Sequence, residues 1–283
     1  MTSHNGRVHR GRIAGHDQTV STSQPYYRPL DGPHGRRFLA TPATVGPWFA
    51  DAQHVGPPSA LLARALQRCE PRPGTQISRL SVEVLGPVPV GELEVVATVE
   101  RPGRAIELLA AEMLSGGRAV LRARAWRLPV GDTAAVAVGS AAPLPPPEQV
   151  APRELRLAGW VRGFIDSVDW RFVHGWFDEP GPGTAWIRQR VELVEDEKPT
   201  ALQRLALVAD CANGVAAPLD IRGWLFVNTD LTLHLHRDPV GEWMAVDART
   251  VVGPGGLGTA SALLHDEQGQ VGRCAQNLLV RPR

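Results

Sequence analysis

The chain has only three cysteines in 283 residues, Cys69, Cys211 and Cys274, widely separated in sequence. A set so sparse and odd in number excludes a disulfide framework and a zinc knot, and it suits a reducing compartment, so a cytoplasmic location is expected. Charge is nearly balanced, with 30 basic and 29 acidic residues and a formal net charge of +1. That balance gives no footprint for a nucleic-acid partner. No apolar run is long enough to cross a bilayer, so no membrane partner is expected. Residues 1–25 hold Gly, His, Arg, Ser and Thr without a continuous apolar segment. They read as a mobile arm and not as a secretory leader. No Gly-x-Ser-x-Gly elbow occurs, which argues against a serine hydrolase. Gly253-Pro-Gly-Gly-Leu-Gly258 is not followed by a helical pattern, so it does not make a dinucleotide loop.

What the chain does contain is a repeat. Arg79-Leu-Ser-Val-Glu-Val-Leu-Gly-Pro-Val-Pro-Val-Gly-Glu-Leu-Glu-Val95 and Asp230-Leu-Thr-Leu-His-Leu-His-Arg-Asp-Pro-Val-Gly-Glu-Trp-Met-Ala-Val246 share a pattern. Both alternate apolar and polar residues, turn at Pro-Val-Gly-Glu, and alternate again, which is strand, turn, strand. Two further elements match in the same order. Pro58-Ser-Ala-Leu61 corresponds to Pro199-Thr-Ala-Leu202, and the strand after Gly117 corresponds to the strand after Gly269.

The organisation follows from that duplication. A first subdomain is expected over 26–138, a Pro- and Ala-rich linker over 139–152, and a second subdomain over 153–283. In the first, a short strand is expected at Arg37 to Leu39, a turn at Gly46-Pro47-Trp48 and a helix at Pro57 to Arg68, with prolines in its first turn. Strands follow at Ile77 to Leu85, Glu92 to Glu100, Ala105 to Leu114 and Arg118 to Leu128, the last two joined at Gly116-Gly117. The linker prolines Pro143, Pro145, Pro146 and Pro147 are expected to allow neither helix nor sheet. In the second subdomain, strands are expected at Ser167 to His174 and Thr184 to Val194, then a helix from Pro199 to Asp210. Further strands are expected at Leu225 to His236, Trp243 to Val252, Gly258 to His265 and Val271 to Arg281. The fold class is α+β, each half an antiparallel sheet whose apolar face is covered by one long helix.

Gly46-Pro-Trp48, Gln53-His-Val-Gly-Pro-Pro-Ser-Ala-Leu-Leu-Ala-Arg-Ala65, Gly86-Pro-Val-Pro89 and Arg101-Pro-Gly-Arg104 resemble the first half of thioesterase-like proteins related to bacterial acyl-CoA thioesterase II. Leu202-Gln-Arg-Leu205, Ala209-Asp-Cys-Ala-Asn-Gly214, Asn228-Thr-Asp-Leu-Thr232, His236-Arg237 and Gly272-Arg-Cys-Ala-Gln276 resemble the second half. The resemblance implies a double hotdog fold and hydrolysis of acyl-CoA to free acid and CoA. The CoA moiety belongs to the substrate, so no separate cofactor and no metal is implied. In that family an Asp, a Thr or Ser, and a Gln hold the attacking water. The Asp matches Asp210 and the Gln matches Gln276. The hydroxyl position falls on Asn228, with Thr229 beside it and Thr232 further along. A homodimer is also compatible with this family.

The residues support parts of that reading independently. Thioester hydrolysis needs one carboxylate to activate water and polar neighbours to hold it. Backbone amides at a helix start can polarise the carbonyl oxygen. Asp210 sits at a helix C-terminus, where a carboxylate opposes the dipole by roughly 0.3–1 kcal/mol. Its plainer role would be to tie down the Asn213-Gly214 turn. Asp210 and Gln276 align with Cys69 and Ala123, so the polar groups occur in one copy only. This places the polar chemistry in the second half, with the first completing a tunnel. His54 reads as a loop hydrogen-bonder, and His234 with His236 lacks further metal ligands. Arg36, Arg37, Arg79, Arg101 and Arg104 are candidate contacts for CoA phosphates or simply a solvated face. A second function, acyl-CoA or lipid binding without catalysis, follows if Asn228 does not replace the hydroxyl. A hydratase would need a His soon after Asp210, and none is there.

Overall fold

The structure is a computed structural model, described here for residues 24–283 except Pro33, Arg156 and Ala158. The expected arm lies almost wholly outside the described residues. In chain order the first half holds β1 (Tyr27–Pro29), β2 (Arg37–Ala40), α1 (Gly56–Arg68), β3 (Thr75–Val84), β4 (Glu92–Arg101), β5 (Glu107–Ser115) and β6 (Arg118–Pro129). The second holds β7 (Val168–Trp176), β8 (Glu179–Gln189), α2 (Ala201–Ala209), α3 (Ala212–Val215), β9 (Trp224–Asn228), β10 (Asp230–Leu235), β11 (Trp243–Val252), β12 (Leu257–Asp266) and β13 (Gly269–Pro282). No described helix is long and apolar enough to cross a membrane.

The strands form one sheet in the order β1-β2-β4-β5-β6-β3-β10-β13-β12-β11-β8-β7, with β9 also on β13. Read outward from the central β3–β10 pair, the order is β3-β6-β5-β4-β2 on one side and β10-β13-β12-β11-β8 on the other. The duplication seen in sequence is thus a duplication of topology about that seam. The seam is antiparallel, with Leu233 opposite Leu80 and Leu231 opposite Val82, all four buried. Strict alternation explains why the strands were legible: β5 reads buried, half-buried, buried along its length, and β13 alternates buried and exposed from Arg273 onward.

Helix α1 packs its Leu61, Leu62 and Leu66 into the core and lies against β3, β4 and β5 as well as α2. Helix α2 starts with a capping box: Thr200 accepts from the Gln203 backbone, and the Gln203 side chain accepts from the Thr200 backbone. Leu205, Ala206, Leu207, Val208 and Ala209 are fully buried. Two central helices, each against half of one sheet, therefore share a single core.

Four expectations need correction. The strand expected at Leu225 to His236 is two strands. Asn228 pairs with Leu278 and Thr232 with Ala275, so the β9–β10 side carries one residue more than β13 between these pairs, which is a β-bulge. The helix expected to Asp210 ends at Ala209, and α3 follows at once. The strand expected at Thr184 to Val194 is β8, which starts earlier at Glu179 and ends at Gln189. Its early stretch, Pro180-Gly-Pro-Gly183, lies outside the expected strands, and Gly183 is needed there: a Cβ on it would lie 2.2 Å from the Val215 carbonyl oxygen. The linker holds a 3₁₀ turn at Pro147–Gln149 and is pinned to the second half. Trp186 Nε1 donates to Pro145 O at 2.8 Å, and Ala141 N donates to Gln270 Oε1 at 2.7 Å.

Candidate active site

Asp210 stands at the C-terminal end of α2, buried to 3 % exposure. Its Oδ1 accepts from Asn228 Nδ2 at 2.9 Å and from Gln276 Nε2 at 3.2 Å. Gln276 Nε2 also reaches the Asp210 backbone oxygen at 3.2 Å, and Gln276 Oε1 accepts from the Asn213 backbone at 3.2 Å. Gln276 is thus a buried clamp between the end of α2 and α3. It lies on the inner face of β13, between the buried Cys274 and Leu278. Asn228 Nδ2 makes a second bond to Asp230 O at 3.3 Å, so its own Oδ1 is left as an acceptor without a hydrogen bond among the described residues. The turn-tying role for Asp210 is not what the structure shows, because its carboxylate faces these amides instead.

The other carboxylate oxygen meets a group from the first half. His54 Nδ1 is 3.0 Å from Asp210 Oδ2. The same Nδ1 lies 3.0 Å from the Gly56 backbone nitrogen. One ring nitrogen cannot accept from Gly56 and donate to Asp210 at once, so a single proton decides which bond is made. The imidazole stacks on Phe164, with centroids 4.0 Å apart and planes at 16°. Phe164 is itself fixed by its amide donating to Val45 O at 2.9 Å. The cluster therefore spans both halves, whereas the sequence comparison placed the polar chemistry in the second alone. His54 was legible only as a loop residue, because nothing local in sequence tells that the start of α1 meets the end of α2.

The bulge explains the uncertain middle position. Without it, residues 228 and 232 would share a face. With it, Asn228 faces α2 while Leu231 and Leu233 take the inner positions. Thr232 falls between these two buried leucines and pairs with Ser81 and the exposed Ala275, on the opposite face from Asp210. Thr229 is exposed, and its hydroxyl lies 3.4 Å from Asn277 O. The structure thus brings Asp210, Asn228 and Gln276 together and leaves Thr229 and Thr232 outside the cluster.

Counterpart positions in the first half are plain. Cys69 caps α1 as Asp210 caps α2, and Ala123 sits in the middle of β6 between Val82 and Ala111. The thiols nearest Asp210 are not nucleophiles. Burial, with the Asp210 charge adding, pushes Cys211 well above the usual thiol range, and burial pushes Cys274 up to about 12. The start of α1 offers few amides. Pro57 and Pro58 have no N–H, and Ser59 N is bonded to Val55 O at 3.0 Å. Gly56 N–H is the donor that remains there. Of the arginines considered for CoA phosphates, Arg37 pairs with Glu92, Arg79 lies over Trp126 and Arg101 donates to Ile106 O, while the Arg36 and Arg104 side chains make no ion pair or hydrogen bond among the described residues.

A family model described as the acyl-CoA thioesterase N-terminal domain matches residues 44–128, and one described as the acyl-CoA thioesterase C-terminal domain matches residues 141–280. No curated protein matches the sequence. Among solved structures, a protein of unknown function with a hot dog fold from Alicyclobacillus acidocaldarius is 17% identical with a TM-score of 0.70, covering 89% of this chain and 95% of its own. A tesB protein from Mycobacterium avium subs paratuberculosis is 17% identical with a TM-score of 0.60, covering 87% and 94%. An acyl-CoA thioesterase II, TesB2, from Mycobacterium marinum is 16% identical with a TM-score of 0.58, covering 75% and 83%. These likenesses show the hotdog fold. With both family models matched in order along one duplicated topology, the chain belongs to the thioesterase-like hotdog family.

Proposed function

We propose that the protein hydrolyses acyl-CoA thioesters to free acid and CoA, with Asp210 as general base. The observation that carries this reading is a buried carboxylate whose Oδ1 is held by two side-chain amides, Asn228 and Gln276. A water donating to Asn228 Oδ1 and to the Asp210 carboxylate would be positioned for attack. As its oxygen bonds to the thioester carbon, its proton passes to Asp210. The C–S bond then breaks, and the CoA thiolate takes a proton, for which His54 beside Asp210 Oδ2 is a short relay. Gly56 N–H, released when His54 Nδ1 carries a proton, is the available donor for the developing oxyanion. In this reading Asn228 does the orienting that a hydroxyl does in the family pattern, and Thr229 and Thr232 take no part. The two halves act as a fused hotdog pair with one site.

A panel of acyl-CoAs assayed for thiol release tests the mechanism. Asp210→Asn keeps the shape and removes the base, and its expected loss is about 10²–10⁴-fold. Equal rates in wild type and variant would sink it. The second reading, acyl-CoA or lipid binding without turnover, is favoured by the two prolines that strip amides from the start of α1. Tight acyl-CoA binding with no thiol released by the wild type would establish it.

A further inference from the structure

Strand β9 leads from the Asp210 cluster to the surface. Asn228 and Phe226 share its inner face, and by strand alternation Trp224 follows on the same face, roughly 13 Å from Asn228 at about 3.3 Å per residue. Trp224 is 39 % exposed. Trp48 stands edge-on against Phe226, with centroids 4.8 Å apart. The Arg283 guanidinium lies over the Trp48 ring at 5.9 Å, and Arg283 N donates to Gly223 O at 3.1 Å. Pro282 pairs with Trp224 across the strands. Two indoles and Arg283 therefore form one rim at the outer end of the face whose inner end is the buried carboxylate. Phe49, beside Trp48 in sequence, is 44 % exposed.

Some arginines of the sheet are paired with carboxylates, and others, Arg249 and Arg273 among them, have no carboxylate partner among the described residues. Arg122 pairs with Glu112, Arg124 with Glu100, and Arg37 with Glu92. At the rim, Arg283 has no carboxylate partner among the described residues. An exposed indole beside an unpaired guanidinium suits a ligand that is both an aromatic base and a phosphate.

Resting on the acyl-CoA reading above, we infer that this rim binds the nucleotide end of CoA. The adenine stacks on an indole, Trp224 being the exposed one. Arg283 meets the phosphates. The pantetheine arm then runs along β9 past Phe226, so that the thioester reaches Asn228 and Asp210. Trp48 and Trp224 serve substrate binding and not the chemical step.

The test compares an acyl-CoA with the same acyl group on N-acetylcysteamine, which keeps the thioester and lacks the nucleotide. For Trp224→Ala and Arg283→Ala, kcat/KM on acyl-CoA is expected to fall about fivefold or more, mainly through KM. On the N-acetylcysteamine thioester it is expected to stay within about twofold. Equal losses on both substrates, or no loss on either, would overturn the inference while leaving hydrolysis intact. If the wild type turns over neither substrate, the hydrolase reading fails and the rim is judged by CoA binding alone, measured calorimetrically. A Kd raised about fivefold in the two variants supports the rim. An unchanged Kd, or no CoA binding by the wild type, rejects it.

Discussion

Gln276 is the side chain on which the cluster depends most directly. Its amide bonds to Asp210 twice and to the Asn213 backbone once, all within the core. Gln276→Ala leaves a buried backbone N–H and a buried carboxylate short of partners, at a cost of about 1–3 kcal/mol in chemical denaturation. The same variant frees the carboxylate to turn, so kcat should fall about 100-fold. His54→Phe separates two roles. The stack on Phe164 is kept and the nitrogen beside Asp210 is lost, so kcat should fall while the melting temperature stays within a few degrees. A melting temperature that falls with kcat retained would assign His54 to packing alone. Asp210 and Gln276 were legible because α2 and β13 have regular patterns whose first-half counterparts are plain. Asn228 was ambiguous, because one extra residue at a bulge inverts which side chains face inward, and residue spacing carries no trace of it.

At the scale of elements, the two helices meet very closely. A Cβ on Gly56 would lie 2.5 Å from the Leu207 backbone oxygen in α2 and 3.0 Å from His54 Nδ1. Gly56→Ala should therefore push the start of α1 off α2, costing about 1–3 kcal/mol in stability and separating His54 from Asp210. The measurement is a denaturation curve together with the rate of thiol release. The other end of α1 offers the reverse case. Glu70 follows the Cys69 cap with φ of 42°, in the left-handed region that favours glycine. Glu70→Gly removes that strain and should stabilise by about 1 kcal/mol, raising Tm by about 2–4 °C. A lowered Tm would show that the Glu70 side chain matters more than its backbone.

At the scale of the whole molecule, the halves are joined by more than the β3–β10 seam. Arg64 on α1 donates to both oxygens of Glu197, just ahead of α2, at 2.7 and 2.6 Å. Burial alone would raise the Glu197 carboxyl, but the bonds and charges of Arg64 and Arg68 outweigh it and hold its pKa low. Tyr26, just ahead of β1, meets the Ser167 hydroxyl of the second half at 2.6 Å, and Tyr27 donates to Gln53 Oε1 at 2.7 Å within the first. Within the second half, Asp266 takes both terminal guanidinium nitrogens of Arg237 and the amides of Val240 and Gln268. Burial works to raise its pKa, yet the Arg237 bond and these amides bring it below the usual aspartate value. Its contribution to stability is therefore complete above about pH 4, the unfolded value, and is lost as pH falls through the lower folded one. Asp266→Asn should show a smaller loss of stability than wild type across that acid window, read from urea midpoints at stepped pH. An identical pH dependence in both proteins would remove Asp266 from the account.

By itself the sequence determined the architecture: two matched copies, their strand alternation, both central helices, and the one copy in which a carboxylate and an amide replace Cys69 and Ala123. These are local or periodic properties, written in residue order and repeated, so spacing alone conveys them. Only the tertiary structure decided which groups meet. It placed His54 of the first half on Asp210 of the second, turned Asn228 inward and Thr232 outward, and fastened the proline-rich linker to β8 and β13. Those outcomes depend on how closely α1 approaches α2 and on a single-residue bulge. Both are set by packing between segments far apart in the chain, which no local pattern encodes.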